Sequence, residues 1–314
     1  MKTYIFKRLT ILTITLFMMS LFLFVLGQLQ PGNPYYNAMQ PGMSEEQIEK
    51  YLHEQGYYDP IHIKYKKWLF NVFKGDFGYS IRHKVPVLSI IKERIPNTIF
   101  LTLPALILSI MLAIPAGIKW ALNEKSFFAK FLDGISLTIS SLPTFLIALI
   151  LVKFLSYDLN LFPLSGVGTF GRSSFLNSVY HFTLPIIVLT LINFSDFVRY
   201  IKSLISAELK KPYLKTSMGF GMTKEKAVKQ DALRNILSSI VTLVFLEVPH
   251  LLSGALITES FFVIPGIGKL NYDAVLDKDY PVVMAILIFS ITLVLFSNFI
   301  ADILNHLLDK RQEL

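Results

Sequence analysis

Two ionisable side chains lie within a long apolar stretch of the sequence, Glu247 and His250. Their spacing of three residues places them on one face of a helix, and ionisable groups in an apolar segment are costly and therefore functional candidates. A carboxylate and an imidazole in this arrangement could contact a divalent metal or a substrate amine. They could equally hydrogen-bond to each other against a neighbouring helix. The pair is a candidate for the lining of a translocation path, and two such groups alone do not make a firm metal site.

Other motifs with catalytic potential lack the context that their chemistry needs. Residues 166–171 match GxGxxG, and residues 166–173 nearly match GxxxxGK(S/T) with Arg172 in place of the lysine. Phosphate-binding loops of both kinds need a strand before them and a helix after them. Here an apolar run precedes the motif. The chain has no Cys, which excludes disulfide scaffolds, thiolate zinc sites and iron–sulfur clusters. The sequence therefore predicts a non-catalytic chain that binds no cofactor, so that any ATP chemistry must come from another protein.

The elements that would hold these residues are apolar spans. Of the 314 residues 53% are hydrophobic and 17% charged, against roughly 25% charged in soluble proteins, and the mean hydropathy is +0.53. Six runs reach the roughly 20 residues that a helix needs to cross a bilayer. They lie at about 9–28, 98–121, 134–157, 179–198, 235–258 and 282–305. The sequence predicts an all-α polytopic membrane protein with six transmembrane helices.

The distribution of basic residues indicates the orientation of the spans. If the amino terminus is cytoplasmic, seventeen of the 30 Lys and Arg residues fall on the cytoplasmic side, and the short outer loops hold only Arg172, Lys269 and Lys278. The positive-inside rule then predicts a multi-pass protein of the cell (inner) membrane with both termini cytoplasmic. This distribution accounts for the net charge of +8, so membrane lipid and not nucleic acid is the expected partner.

Two polar stretches interrupt the spans. The first, residues 30–96, contains turn signals and a plausible amphipathic helix near 45–55, and it predicts an extracellular insertion after helix 1. The second, residues 199–235, is interrupted by Pro212, Gly219 and Gly221. Its pattern predicts a helix, a glycine turn and a second helix between transmembrane helices 4 and 5, and it is too long for a simple connector.

This second stretch resembles the EAA loop, the cytoplasmic coupling loop of ABC importer permeases. The resemblance rests on residues 213–222 and 232–235. Lys215-Thr216-Ser217 stands where Glu-Ala-Ala is usual, and Ser239 stands where proline is common, while the glycine at Gly221 is kept. The resemblance implies that an ATPase-coupling loop near 210–235 uses Tyr213, Ser217, Gly219, Gly221, Ala232, Arg234 and Asn235.

Further motifs, ordered along the chain, resemble those of the dipeptide, oligopeptide and nickel permease family. They lie at residues 30–34, 74–80, 94–98, 259–268 and 279–283. In this family the last two motifs belong to the outer face. The corresponding residues here are Glu259, Pro265, Gly266, Gly268, Asp279, Tyr280 and Pro281.

The resemblance implies an architecture and a set of partners. Residues 1–93 would form the first transmembrane helix and an extracellular cap, and residues 94–308 the importer transmembrane domain with five helices. A second homologous permease, cytoplasmic ABC ATPase subunits that hydrolyse ATP, and an extracellular solute-binding protein would complete the importer. The cap and residues 259–281 would face the binding protein.

The implied function is a permease subunit that forms half of the translocation pathway of a binding-protein-dependent importer for di- or oligopeptides. Nickel or a metal chelate is the alternative cargo, because Glu247 and His250 depart from the residues that peptide importers carry there. A proton-coupled secondary transporter with Glu247 as the relay is a different mechanism. Such transporters contain internal repeats, and none is evident in this sequence.

Overall fold

The structure is a computed structural model that describes residues 2–29, 44–54, 56–169, 174–253 and 255–308. Within these ranges it contains helices and one isolated β-bridge, between Tyr79 and Pro86, and no β-strand. Five helices are long and apolar enough to cross a membrane, and a bent helix pair makes a sixth candidate. The predicted all-α polytopic fold is confirmed.

The helices follow one another in chain order. Their bounds are α1 Lys2–Gln28, α2 Glu45–Glu54, α3 Ile61–Phe73, α4 Val87–Leu122, α5 Phe127–Ser141, α6 Thr144–Leu151, α7 Phe175–Glu208, α8 Pro212–Gly219, α9 Lys224–Ala227, α10 Leu233–Ser253, α11 Leu256–Phe261, α12 Ile267–Leu276 and α13 Tyr280–Leu308. Two π-helical stretches, Val152–Asp158 after α6 and Val228–Ala232 between α9 and α10, continue the helices that they adjoin.

The chain divides into two compact units. The first comprises residues 1–93 and 271–295, and the second residues 94–270 and 296–314. In the first unit α3 packs along α1, where the ring of Phe24 lies 5.3 Å from that of Tyr65 and 5.4 Å from that of Trp68. The amphipathic helix predicted near 45–55 is present as α2.

The second unit is built around the crossing of α4 and α7. Gly117 of α4 permits this approach, because a Cβ there would lie 2.8 Å from the Cγ2 of Ile201 on α7. Ala129 and Leu132 of α5 are buried in the same apolar cluster. Small and branched residues thus bring three membrane helices together.

The third predicted span is not one continuous helix. The helix expected over 134–157 is divided into α5 and α6, whose axes differ by 112°. Leu142 is extended, with φ −93° and ψ 139°, because the ring of the following Pro143 disfavours helical backbone at the residue before it. Pro143 also lacks the N–H that would continue the helical hydrogen bonds.

The fifth predicted span, 235–258, begins earlier and ends earlier than expected. The membrane-spanning helix runs from Lys224 to Pro249 through α9, the π-helical stretch and α10. Residues 256–261 form the separate helix α11. The polar segment before this span is therefore continuous with the span itself.

Candidate functional site

The segment that resembles a coupling loop, residues 208–235, is here called the coupling segment. Its first helix, α8, ends in a turn in which the Gly221 N–H donates to the Met218 carbonyl at 3.0 Å. Gly221 has φ +90°, a conformation that favours glycine. The Thr223 side chain then caps α9 by accepting from the Lys226 N–H. The predicted order of helix, glycine turn and helix is present.

The base of the coupling segment is apolar and fully buried. Leu214, Ala227, Val228 and Ala232 are each 0% exposed and belong to one cluster with residues of α4 and α7. Ala232, which the sequence suggested as a coupling residue, therefore cannot reach another protein directly. It contributes to the coupling segment by packing in the apolar cluster.

Two carboxylates hold the parts of the coupling segment together. Glu208, at the end of α7, is buried and accepts hydrogen bonds from the hydroxyl of Tyr213 and, at 2.5 Å, from the ammonium of Lys211. The Ser217 hydroxyl donates to Asp231 across the turn at 3.0 Å. Burial, with the hydrogen bond to Glu208, raises the pKa of Tyr213 to about 12. The phenol therefore remains a neutral donor at physiological pH.

The tip of the coupling segment is exposed. Phe220 is 89% exposed between Gly219 and Gly221, which are exposed as well. Arg234 and Asn235 are exposed on the second helix. Sequence reasoning missed Phe220, although an apolar residue between two glycines of a polar loop is a recognisable signal. The segment thus presents an apolar tip on a buried base.

A second buried carboxylate, Glu259 of α11, is 0% exposed and lies outside the membrane-spanning helices. It accepts from the Thr98 hydroxyl at 2.7 Å and from the Lys269 N–H at 2.9 Å, and the Thr98 oxygen accepts from the Ile267 N–H at 2.8 Å. Burial raises the pKa of Glu259, and these hydrogen bonds oppose the rise. Residues 255–270 with Asn97 and Thr98 are here called the Glu259 cradle.

Two glycines make the Glu259 cradle possible. A Cβ on Gly266 would lie 2.2 Å from the carboxyl carbon of Glu259, and one on Gly268 would lie 2.6 Å from the Cα of Leu256. The carbonyl of Pro265, which precedes Gly266, accepts from the Asn97 side chain at 2.9 Å. The two glycines of the PGxG pattern are thus required by close contacts.

A third buried carboxylate, Asp279, holds a turn in the first unit. It is 1% exposed and accepts from the Ser80 hydroxyl and from the N–H groups of Ile81 and Arg82, the latter two at 3.0 and 3.2 Å. The next motif residues, Tyr280 and Pro281, begin α13 and are half-buried.

The burial of Glu259 and Asp279 corrects one expectation. These residues were expected to face a binding protein along with the rest of 259–281, but neither side chain is available for such a contact. Glu259 instead fixes the backbone of its own segment at Lys269, and Asp279 fixes the backbone of the distant turn at Ile81 and Arg82. Their partners Thr98 and Ser80 lie in motifs 94–98 and 74–80, but the pairings themselves join residues 161 and 199 positions apart.

The Glu247 and His250 pair lies on α10, where Glu247 is half-buried. The side chain of His250 lies outside the described part of the chain. Within the described residues, no group of three or more His, Cys, Asp or Glu side chains is arranged to hold a metal ion. Gly166 and Gly168 occupy a loop that follows a π-helical stretch instead of a strand. The rest of that motif, 170–173, and the motif at 30–34 lie outside the described residues.

The spans and the helix–turn–helix with its exposed tip define a polytopic helical membrane protein. The family described as "Binding-protein-dependent transport system inner membrane component" matches residues 113–314, and the family of the corresponding N-terminal region matches residues 1–102. The chain belongs to this family of ABC importer permeases, as its motifs predicted. It is a permease subunit.

Several curated relatives match along their whole length. The oligopeptide transport system permease protein AppB of Bacillus subtilis is 34% identical, with 100% of both chains covered. The dipeptide transport system permease protein DppB of Lactococcus lactis is 31% identical, again with 100% of both covered. The metal-staphylopine import system permease protein CntB of Staphylococcus aureus is 28% identical over 99% of this chain and 98% of its own.

Proposed function

We propose that this chain forms half of the translocation pathway of an ATP-driven importer for di- or oligopeptides, and that a cytoplasmic ATPase drives it through the coupling segment. The observation that carries the proposal is the exposed tip at Phe220 and Gly221 on a buried base. The peptide relatives AppB and DppB support the choice of cargo.

The coupling segment is built to transmit force. Its first helix is tied to α7 through Glu208 and across the turn to Asp231. Its second helix continues without interruption into the span that ends at Pro249. A displacement of the tip would therefore move two membrane helices as a rigid body, which is how many transitions of this kind occur.

The distribution of basic residues supports six membrane spans and a cytoplasmic coupling segment. If the bent pair α5 and α6 only re-entered the membrane, every later segment would change sides, and the nine basic residues in 199–235 would face outward. The positive-inside rule opposes that arrangement. With six spans, both termini and the coupling segment are cytoplasmic, and the first unit's segment 44–86 is extracellular.

The proposed partners are those that membership of the family implies. A second homologous permease completes the pathway, an extracellular solute-binding protein delivers cargo, and separate ATPase subunits bind and hydrolyse ATP. We expect this chain itself to bind no cofactor. The cap within residues 1–93 and the importer domain 94–308 then have different partners, one outside the cell and one inside.

Import of nickel or a metal chelate is the second candidate function. It is favoured by the relative CntB, whose name describes metal-staphylopine import, and by the mid-span pair Glu247 and His250 as a lining for a metal-bearing cargo. In that case Glu247→Gln combined with His250→Ala would reduce metal uptake more than peptide uptake.

Uptake of a labelled short peptide beside radiolabelled nickel, in cells with and without this gene under metal limitation, tests the cargo. We expect the loss of peptide uptake with nickel uptake unchanged. Loss of nickel uptake alone would overturn the peptide assignment. Uptake that persists after deletion of the partner ATPase would overturn the ATP-driven mechanism and favour a proton-coupled transporter.

A further inference from the structure

Helix α3 packs against the membrane-spanning part of α1, and this contact has consequences for where α3 lies. The Tyr65 hydroxyl is 2.8 Å from the Ser20 hydroxyl, and the Tyr65 ring lies edge-on to Phe17 and Phe24. Ser20 donates its own proton to the Phe17 carbonyl at 2.8 Å. Tyr65 is therefore the donor, and its polar atom is satisfied within the protein.

The depth of this contact follows from helix geometry. The span of α1 runs from Ile5 to Gln28, and Ser20 precedes Gln28 by eight residues. At about 1.5 Å per residue, Ser20 lies about 12 Å below that end of the helix. Because half of the hydrocarbon core is about 15 Å thick, Tyr65 contacts α1 within the leaflet that holds the carboxyl end of α1.

The side of α3 that faces away from α1 carries large apolar residues. Ile63, Phe70 and Phe73 are 37%, 59% and 82% exposed. Their spacing of seven and three residues places them along one stripe of the helix. In water such a stripe would be unfavourable, whereas beside α1 at this depth it meets acyl chains.

Basic residues accompany the stripe. Lys66 is exposed, Lys67 pairs with Asp59 at 2.7 Å, and the Lys74 ammonium lies 4.1 Å from the ring centre of Phe70. Lysines at a membrane interface bury their aliphatic stems and extend the ammonium toward the headgroups. Lys66 lies on the stripe itself, between Ile63 and Phe70, and Lys74 lies beside it at the end of the helix. Apolar residues combined with such lysines are typical of interfacial helices.

We propose that α3 is an interfacial helix embedded in the leaflet at the carboxyl end of α1. Its stripe of Ile63, Phe70 and Phe73 contacts acyl chains, and Lys66 and Lys74 bind the phosphate groups of anionic phospholipids. The apolar side of α3 faces lipid, so a soluble binding protein must dock on another part of the cap or of the importer.

The absence of native cysteine allows a direct test with the full chain. Phe70→Cys and, independently, Phe73→Cys are labelled with an environment-sensitive fluorophore in nanodiscs, and Glu49→Cys on α2 is the matched control. We expect bromine on the lipid acyl chains to quench both α3 probes severalfold more than the α2 probe, and aqueous iodide to quench the α2 probe more. If iodide quenches all three equally and bromolipid quenches none, α3 lies in water and its stripe serves a soluble protein.

A second experiment tests the contact of Lys66 and Lys74 with lipid headgroups. The emission of the Phe73→Cys probe is compared in discs of phosphatidylglycerol and of phosphatidylcholine, with and without Lys66→Gln and Lys74→Gln. We expect a larger blue shift in phosphatidylglycerol, which the double variant abolishes and Lys50→Gln on α2 leaves intact. Equal shifts in both lipids with the native lysines would overturn the binding of anionic phospholipid.

Discussion

The coupling segment and the Glu259 cradle both hold a buried glutamate, but they do so by different means. Glu208 is held by side chains, the phenol of Tyr213 and the ammonium of Lys211. Glu259 is held by the Lys269 N–H and by Thr98, in a space that exists because Gly266 and Gly268 have no Cβ. The coupling segment therefore depends on side chains that other residues could replace, whereas the Glu259 cradle depends on the close approach of its backbone.

This difference explains how much each region tolerates changes in sequence. In the coupling segment Lys215-Thr216-Ser217 replaces the usual Glu-Ala-Ala, yet Ser217 obtains a partner in Asp231 and the turn at Gly221 remains. In the Glu259 cradle a methyl group at either glycine would collide with the carboxylate or with main-chain atoms. Substitutions should therefore have effects of very different sizes in the two regions.

The largest effect is expected for Gly268→Ala. The new Cβ would lie 2.6 Å from the Cα of Leu256, and the main chain cannot move aside as a side-chain tip can. We expect a loss of about 3 kcal/mol in stability, typical of overpacking, measured as a lower thermal midpoint in detergent. Gly219→Ala is the control, because a Cβ there would meet nothing within 4 Å. Equal midpoints for the two variants would remove the distinction between the regions.

Glu259→Ala should come next. It leaves the Thr98 hydroxyl and the Lys269 N–H without their buried acceptor, which costs about 1–3 kcal/mol for an unsatisfied group. The same thermal measurement would reveal it. A variant as stable as the native chain would show that water or rearrangement satisfies these donors.

The pH dependence of stability follows from the raised pKa of Glu259. The folded protein holds this proton more tightly than the unfolded chain, whose glutamate has its ordinary pKa of 4.5. As the pH rises above that value, folding must either retain the proton or bury the charge, so the free energy of unfolding falls. We expect a shallower decline in Glu259→Gln across the same pH series in detergent. Parallel curves would mean that Glu259 does not titrate in this range.

Gly221→Asp should affect transport far more than stability. The residue must adopt φ +90° at the exposed tip, a conformation that costs an L-residue about 1–2 kcal/mol. We expect normal membrane insertion but severely reduced peptide uptake, because the turn no longer presents Phe220 as before. Normal uptake by this variant would contradict the role assigned to the tip.

The smallest effect is expected for Ser217→Ala. It removes one partly buried hydrogen bond to Asp231, worth about 1 kcal/mol, while the apolar base of the segment remains. Peptide uptake should fall by less than in the Gly221 variant. A larger loss would indicate that the coupling segment depends on its polar anchors as strongly as the Glu259 cradle depends on its glycines.

Local sequence patterns predicted much of this fold. The lengths of the apolar runs located the spans, and Gly221 located the turn of the coupling segment. The break at Leu142 could also have been predicted locally, because Pro143 lies within the third apolar run. The length of that run alone predicts one continuous helix and so misses the break. The glycines of the Glu259 cradle were found through resemblance, without the contacts that require them.

Long-range contacts account for what the sequence did not reveal. The pairing of Thr98 with Glu259 joins residues 161 positions apart, and no periodicity encodes it. Glu208 lies three residues before Lys211 and resembles a surface ion pair, yet its side chain is 8% exposed. Its burial depends on the packing around the end of α7.

The bend between α5 and α6 affects how this part of the chain inserts into the membrane during synthesis. The first arm, α5, contains 15 residues, and the second arm, α6 with its π-helical continuation, runs from Thr144 to Asp158. Each arm is short of the roughly 20 residues that a helix needs to cross the bilayer alone. α5 packs against α7, to which it is also joined by a hydrogen bond of 3.0 Å from Ser140 to Asp196. The ribosome therefore releases the bent pair after α4 but before α7, and we expect α5 and α6 to reach their final packing only when α7 has been synthesised.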